Sequence, residues 1–132
     1  MAAARLTHRR VLAVDIEPWS VRVAQQNAAL NGLGRLVRCR LADGWHQPVV
    51  RAGAPYDLVL ANILARPLCA MARSLATNLA PGGTAILSGL QRSQARAVLA
   101  AHRRRGLWME AWIQDGAWTT IVLRRSQSVR RA

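Results

Sequence analysis

The sequence contains no lysine. All 19 of its basic side chains are arginine, set against six acids, for a formal charge of +13 over 132 residues. In an alanine-rich chain this usage fits a coding bias as well as a function, so the position of the charge matters more than its total. Residues 1–90 hold ten arginines against four acids, and residues 91–132 hold nine against two. The dense parts are Arg103-Arg104-Arg105 and the tail "RRSQSVRRA" from Arg124. Such a balance favours an anionic neighbourhood such as RNA; a solvated face and a frayed tail account for it equally well. Cysteine is scarce: Cys39 and Cys69 make no CxxC and no metal-ligand spacing with His8, His46 or His102. That predicts two reduced, buried thiols in a cytoplasmic protein and no metal. No apolar run approaches the ~20 residues of a membrane helix, so no membrane span is expected. No apolar stretch follows the basic Met1–Arg10, which excludes a secretory signal there. No glycine occurs before Gly32.

What is present is an alternation of apolar segments. Hydrophobic residues make up 52% of the chain, too many for disorder, and the length suits one domain. Arg10–Asp15 and Tyr56–Ala61 are short apolar runs that predict buried strands, as does Thr84–Ser88. Arg35–Leu41, "RLVRCRL", alternates apolar and basic residues and predicts a half-exposed strand at a sheet edge. Helices are predicted over Pro18–Asn31, with Val21, Ala24 and Ala28 on one face, and over Pro67–Leu79, with Leu68, Met71, Ala72, Leu75 and Leu79 on one stripe. A third helix runs from a Ser93 cap to Arg105, with Ala95, Val98, Leu99 and His102 inward and Gly106 as its stop. Residues 42–55 read as a loop and Ala80–Gly83, "APGG", as a turn. Trp108–Gln114 and Trp118–Arg124 form a closing hairpin around Asp115-Gly116, with the tryptophans packed in the core and hairpin. The order predicts an α/β fold: a doubly wound, mostly parallel sheet with an antiparallel carboxyl-terminal hairpin.

In such sheets ligands bind at the carboxyl ends of the strands. Asp15, Asp43 and Asn62 each stand just past a strand end. A carboxylate at the position of Asp15 can accept both hydroxyls of a ribose, and it also favours the start of the following helix. Nucleotide-binding geometry places a glycine-rich turn ~20 residues before such an acid. Counting back from Asp15 runs off the front of the chain, so Met1–Arg9 reads as the second half of a helix whose preceding strand and glycine loop are missing. Asn62 can cap the next helix, or its carboxamide oxygen can accept the hydrogens of a substrate amine. Ser88, Ser93 and the histidines make no nucleophile elbow, and His46 reads as a loop histidine.

Several strings carry a family resemblance. "VLAVDIEPWSVRVAQQNAALNG" resembles the second strand and helix of class I S-adenosylmethionine-dependent methyltransferases, with Ala24, Asn27, Ala28, Asn31 and Gly32 in the A-x-x-N-A-x-x-N-G ending. "YDLVLANILARPL", "LAPGGTAILSGLQRSQARAV" and "DGAWTTIVLRR" resemble the methyltransferases that modify the eleventh large-subunit ribosomal protein. The N-I-L-A-x-P-L string from Asn62 to Leu68 and the S-G-L-x-x-x-Q-like block are the specific parts. Release-factor and nucleic-acid amine methyltransferases usually carry N-P-P-Y instead.

The resemblance implies a Rossmann-like methyltransferase sheet whose first strand and glycine loop are missing. Residues 1–125 would then be a partial catalytic domain, and 126–132 a basic, disordered tail. It implies S-adenosylmethionine as cofactor, a large-subunit ribosomal protein as substrate and possible contact with ribosomal RNA. Asp15 would hold the ribose hydroxyls, Ile16 would pack on the adenine, and Asp43 with the Gly44 backbone would contact the adenine edge. Asn62 would sit by the transferable methyl and position the amine. Without the first strand, the edges of Val11–Asp15 and Tyr56–Ala61 would be unpaired, so the chain alone would be marginal in stability and weak or inactive. The alternatives are an amine methyltransferase acting on RNA or another protein, and a non-catalytic basic remnant that binds RNA or a partner.

Overall fold

The computed structural model describes residues 1–127. The chain divides into two compact units, Met1–Ala52 and Gly53–Ala132.

The first unit holds helix α1 (Ala2–Thr7), strand β1 (Val11–Asp15), helix α2 (Pro18–Leu30), strand β2 (Val37–Leu41), a 3-10 turn at Gly44–His46 and helix α3 (Pro48–Ala52). β1 and β2 pair in parallel, in register from Val11 opposite Val37 to Asp15 opposite Leu41. Parallel strands need a helical crossover, and α2 supplies it. Proline suits the first helical turn, where its missing N–H is no loss, and Asn31-Gly32 ends the helix, with Gly32 at φ +70°. The core is small: Ala4, Ala28, Leu33, Val37 and Cys39 are buried, and Val11, Ala13, Val21, Ala24 and Leu36 pack against them. α1 joins it through Ala4, while the Arg5 guanidinium donates to the Asn31 carbonyl at 3.1 Å.

The second unit holds strand β3 (Tyr56–Ala61), helices α4 (Ala65–Ala70) and α5 (Ala72–Asn78), strand β4 (Leu79–Gln91), helix α6 (Arg92–Arg103) and strands β5 (Leu107–Asp115) and β6 (Trp118–Arg125). The sheet order is β3-β4-β6-β5; β3 and β4 are parallel, while β6 is antiparallel to both neighbours. Alternation puts Thr119, Ile121 and Leu123 of β6 inward, each fully buried, beside Ala85 and Leu87 of β4. Helix α6 lays Ala95, Val98, Leu99 and His102 against this core, as its spacing predicts. In the hairpin, the Gln114 carboxamide oxygen accepts from Thr119 Oγ1 at 2.6 Å and Trp112 Nε1 at 3.3 Å, while its Nε2 donates to the Gly116 carbonyl at 2.9 Å.

Several sequence expectations are corrected. β1 and β3 are not buried: each has a single strand neighbour, and Val14, Leu58 and Leu60 are exposed. Residues 42–55 contain the 3-10 turn and α3, because Pro48 starts a helical turn as readily as it ends one. The helix expected over Pro67–Leu79 is two helices, separated at Met71, whose ψ of −4° winds the chain more tightly than a helix. The "APGG" turn lies inside β4 as an excursion: Tyr56 pairs with Leu79 and Leu58 with Thr84, leaving residues 80–83 outside the ladder. The cap of α6 is Gln91 rather than Ser93; Gln91 and Gln94 bond reciprocally across the first turn, in a capping box that starts the helix at Arg92. Cys69 is half-buried; Trp108, Trp112 and Trp118 lie on the hairpin strands as expected, but Trp19, Trp108 and Trp118 are exposed rather than in the core, while Trp45 and Trp112 are half-buried. Of the basic tail, residues 128–132 lie outside the described residues.

Candidate functional site

In the first unit the chemistry gathers at the carboxyl ends of β1 and β2. Asp15 closes β1. Its Oδ1 accepts the Glu17 N–H at 2.9 Å, a local bond that turns the chain from strand into α2. The Asp15 carbonyl accepts the Ala42 N–H at 3.0 Å, which ties the end of β2 beside it. Asp43 follows at once, exposed, with its carbonyl taking the His46 N–H at 3.1 Å to close the 3-10 turn; Gly44 sits there at φ +50°. Ile16, beyond Asp15, is 69% exposed, an unusual setting for an isoleucine. A shallow cavity of about 90 Å³ opens beside the carboxylate between β1 and α2, lined by Asp15, Ser20, Val21, Ala24 and Cys39 among others. This unit therefore brings Asp15, Ile16, Asp43 and Gly44 to one end of a parallel strand pair. One carboxylate oxygen of Asp15 is held by the backbone, and the other accepts nothing among the described residues.

Asn62 belongs to the second unit, one residue past β3 and exposed. It does not cap α4: the N-cap is Leu64, at φ −60° and ψ 150°, without a side-chain bond. The Asn62 carboxamide makes no hydrogen bond among the described residues. Its neighbour across the sheet is one that sequence reasoning passed over. Gly89 in β4 has φ +74°, and a Cβ built on it would overlap Asn62 Oδ1 and lie 3.1 Å from Cγ. The only sequence signal for this approach is the glycine of the S-G-L block.

His102, on the core face of α6, is fully buried. Its Nδ1 lies 2.7 Å from the Val98 carbonyl, and Nε2 has no partner. Burial pushes its pKa below the ordinary value, against the smaller opposite pull of the Val98 bond. Burial raises the Tyr56 phenol. Among the described residues no group of His, Cys, Asp and Glu could hold a metal ion, and no helix is long and apolar enough to cross a membrane.

A mostly parallel α/β arrangement with candidate groups at strand ends fits the Rossmann-like architecture of methyltransferases, and solved structures match it in fold. An RNA methyltransferase from Salinibacter ruber, crystallised with S-adenosyl-L-homocysteine, superposes with a TM-score of 0.72 at 18% identity, over 98% of this chain and 74% of that one; the likeness is one of fold. The crystal structure of a ribosomal protein L11 methylase from Lactobacillus delbrueckii subsp. bulgaricus superposes with a TM-score of 0.83 at 28% identity, over 95% of this chain and 62% of that one. Residues 1–126 match the family described as ribosomal protein L11 methyltransferase (PrmA), and the chain belongs to that family. The ribosomal protein L11 methyltransferase of Bradyrhizobium diazoefficiens is 49% identical over 125 residues, 95% of this chain and 42% of the relative. That of Brucella suis is 44% identical over 124 residues, 94% of this chain and 44% of the relative. The chain thus spans less than half the length of these relatives.

Proposed function

We propose that this chain is the cofactor- and amine-positioning part of an S-adenosylmethionine-dependent N-methyltransferase whose substrate is ribosomal protein L11. The observation that carries the reading is the strand-end cluster of Asp15, Ile16, Asp43 and Gly44 in a chain of this family. These residues fit the cofactor's nucleoside. The second carboxylate oxygen of Asp15 can accept ribose hydroxyls, the exposed Ile16 offers an apolar face to the adenine, and Asp43 with the Gly44 backbone can meet the adenine edge. When bound, S-adenosylmethionine supplies an electrophilic methyl on sulfur, transferred to a neutral amine as the carbon–sulfur bond breaks. Asn62 is the substrate-side residue. Its carboxamide oxygen accepts the amine's hydrogens and so aims the lone pair, a contribution of orientation rather than proton transfer.

The same reading has the 132-residue chain alone bind cofactor weakly. A two-stranded sheet is marginal by itself, and the first unit carries its ligand groups on one. Three exposed arginines, Arg103, Arg104 and Arg105, favour ribosomal RNA as a neighbour of the substrate, and the free thiols Cys39 and Cys69 suit the cytoplasm.

The test is calorimetric titration with S-adenosyl-L-homocysteine, together with mass spectrometry of L11 incubated with S-adenosylmethionine. Asp15→Ala removes charge-assisted hydrogen bonds and is expected to weaken cofactor binding about 10- to 100-fold. Unchanged binding in this variant would remove Asp15 from the site. RNA binding that falls steeply with salt, in a chain without cofactor binding or methylation, would support the basic remnant instead.

A further inference from the structure

We infer that Gly89 is a positioning residue: the bulge it forms in β4 makes the space in which the Asn62 carboxamide is held. This rests on the reading of Asn62 as the substrate-side residue. β3 and β4 run in register as far as Ala61 opposite Leu87. One residue further, Asn62 leaves β3, and β4 loses its register with β6. Leu87 pairs with Ile121 and Leu90 with Thr119, so Ser88 and Gly89 together stand opposite Thr120 alone. Extra residues of this kind bend a strand and re-aim what lies beside it, and a glycine at positive φ is the residue that tolerates the bend. Leu87 and Leu90 are both fully buried, which pins the bulge on either side.

The missing Cβ then has a use beyond backbone freedom. The place it would fill is taken by Asn62 Oδ1, with Cγ 3.1 Å away and Nδ2 3.7 Å away. The carboxamide makes no hydrogen bond among the described residues, and the space left beside the Gly89 backbone is where it rests. Any other residue at 89 would expel the oxygen. Gly116 offers the contrast within the same unit. It also has positive φ, +57°, yet a Cβ there would meet nothing within 4 Å. Alanine at 116 bears backbone strain only; alanine at 89 bears strain and displaces Asn62.

The experiment compares wild type, Gly116→Ala, Gly89→Ala, Asn62→Ala and the Asn62→Ala/Gly89→Ala pair in the full chain. The first readout is the pair of Asn62 side-chain amide signals in a nitrogen-15 spectrum, assigned by their loss in Asn62→Ala. Gly89→Ala is expected to shift or broaden them, and Gly116→Ala to leave them in place. Signals that respond equally to the two glycine changes, or to neither, overturn the inference, whether or not the chain methylates. The second readout is L11 methylation. Gly89→Ala is expected to lower kcat about tenfold with KM little changed, and to cost nothing further in the Asn62→Ala background, where there is no carboxamide to displace. Losses that multiply in the pair would mean a merely structural glycine. If Asn62→Ala leaves kcat intact while Gly89→Ala still moves the amide signals, the role of Asn62 fails and the packing stands.

Discussion

The two units are built from the same alphabet with unequal success. The first packs five small or medium side chains, Ala4, Ala28, Leu33, Val37 and Cys39, under a two-stranded sheet. The second buries Leu68, Leu79, Leu87, Leu90, Ile121 and Leu123 beneath a four-stranded sheet and three helices. Apolar stabilisation scales with the area removed from water, about 25 cal/mol per Å². Alanine and cysteine supply much less of it than leucine and isoleucine. The nucleoside-side candidates Asp15, Ile16, Asp43 and Gly44 thus stand on the lighter unit, and Asn62 and Gly89 on the heavier one. Binding a ligand to the first unit would stabilise it by mass action, so on the proposed reading that unit has the most to gain from a bound nucleoside.

The sharpest way to break this contrast is to empty each core. Leu123→Ala, at a fully buried position in β6, is expected to cost about 2–5 kcal/mol. Val37→Ala in β2 removes two buried methyl groups and is expected to cost about 2 kcal/mol. Amide hydrogen exchange distinguishes the regions: β6 should protect longest in wild type, and Val37→Ala should speed exchange in β1 and β2 while leaving β6 slow. Equal acceleration everywhere would mean one cooperative body and end the contrast. A more local effect comes from Gln114→Leu, which strips Thr119 Oγ1 and Trp112 Nε1 of their shared acceptor. The buried, unpartnered Thr119 hydroxyl is expected to cost about 1–3 kcal/mol. Urea unfolding followed by tryptophan fluorescence would measure it, and an unchanged midpoint would show that the hairpin does not depend on this network.

The gentlest probe is pH. His102 is held neutral because burial lowers its pKa from the ordinary 6.5. A histidine with a depressed folded pKa binds more protons when unfolded, so its contribution is complete above about pH 6.5 and is lost as pH falls through the folded value. Unfolding midpoints of the second unit should decline on acidification through that window. His102→Leu, which also removes the unpartnered Nε2, should flatten the decline. A decline of the same size in the leucine variant would assign it to the carboxylates.

Local signals were legible where one strand or helix decides its own fate. Trp108–Gln114 and Trp118–Arg124 are strands as expected, Asp115-Gly116 predicts the hairpin between them, and Ala95, Val98, Leu99 and His102 lie inward as spaced. Asp15 and Asn62 could be named from the sequence because each ends an apolar run. Errors arose where context overrides composition. "VLAVD" and "YDLVLA" have the composition of buried strands, yet burial depends on what pairs and packs beside them. A glutamine pair captured the cap that serine was expected to provide.

The sequence by itself determined the strands, the long helices α2 and α6, the family and the strand-end positions of the candidate residues, because hydrophobic period, turn chemistry and motif strings are local properties. Only the tertiary structure decided that Ala42 ties the second strand end to Asp15 and that Gly89 leaves room for Asn62. Both facts join residues 27 positions apart, and such pairings follow from strand register and bulge placement, which no single stretch of chain encodes.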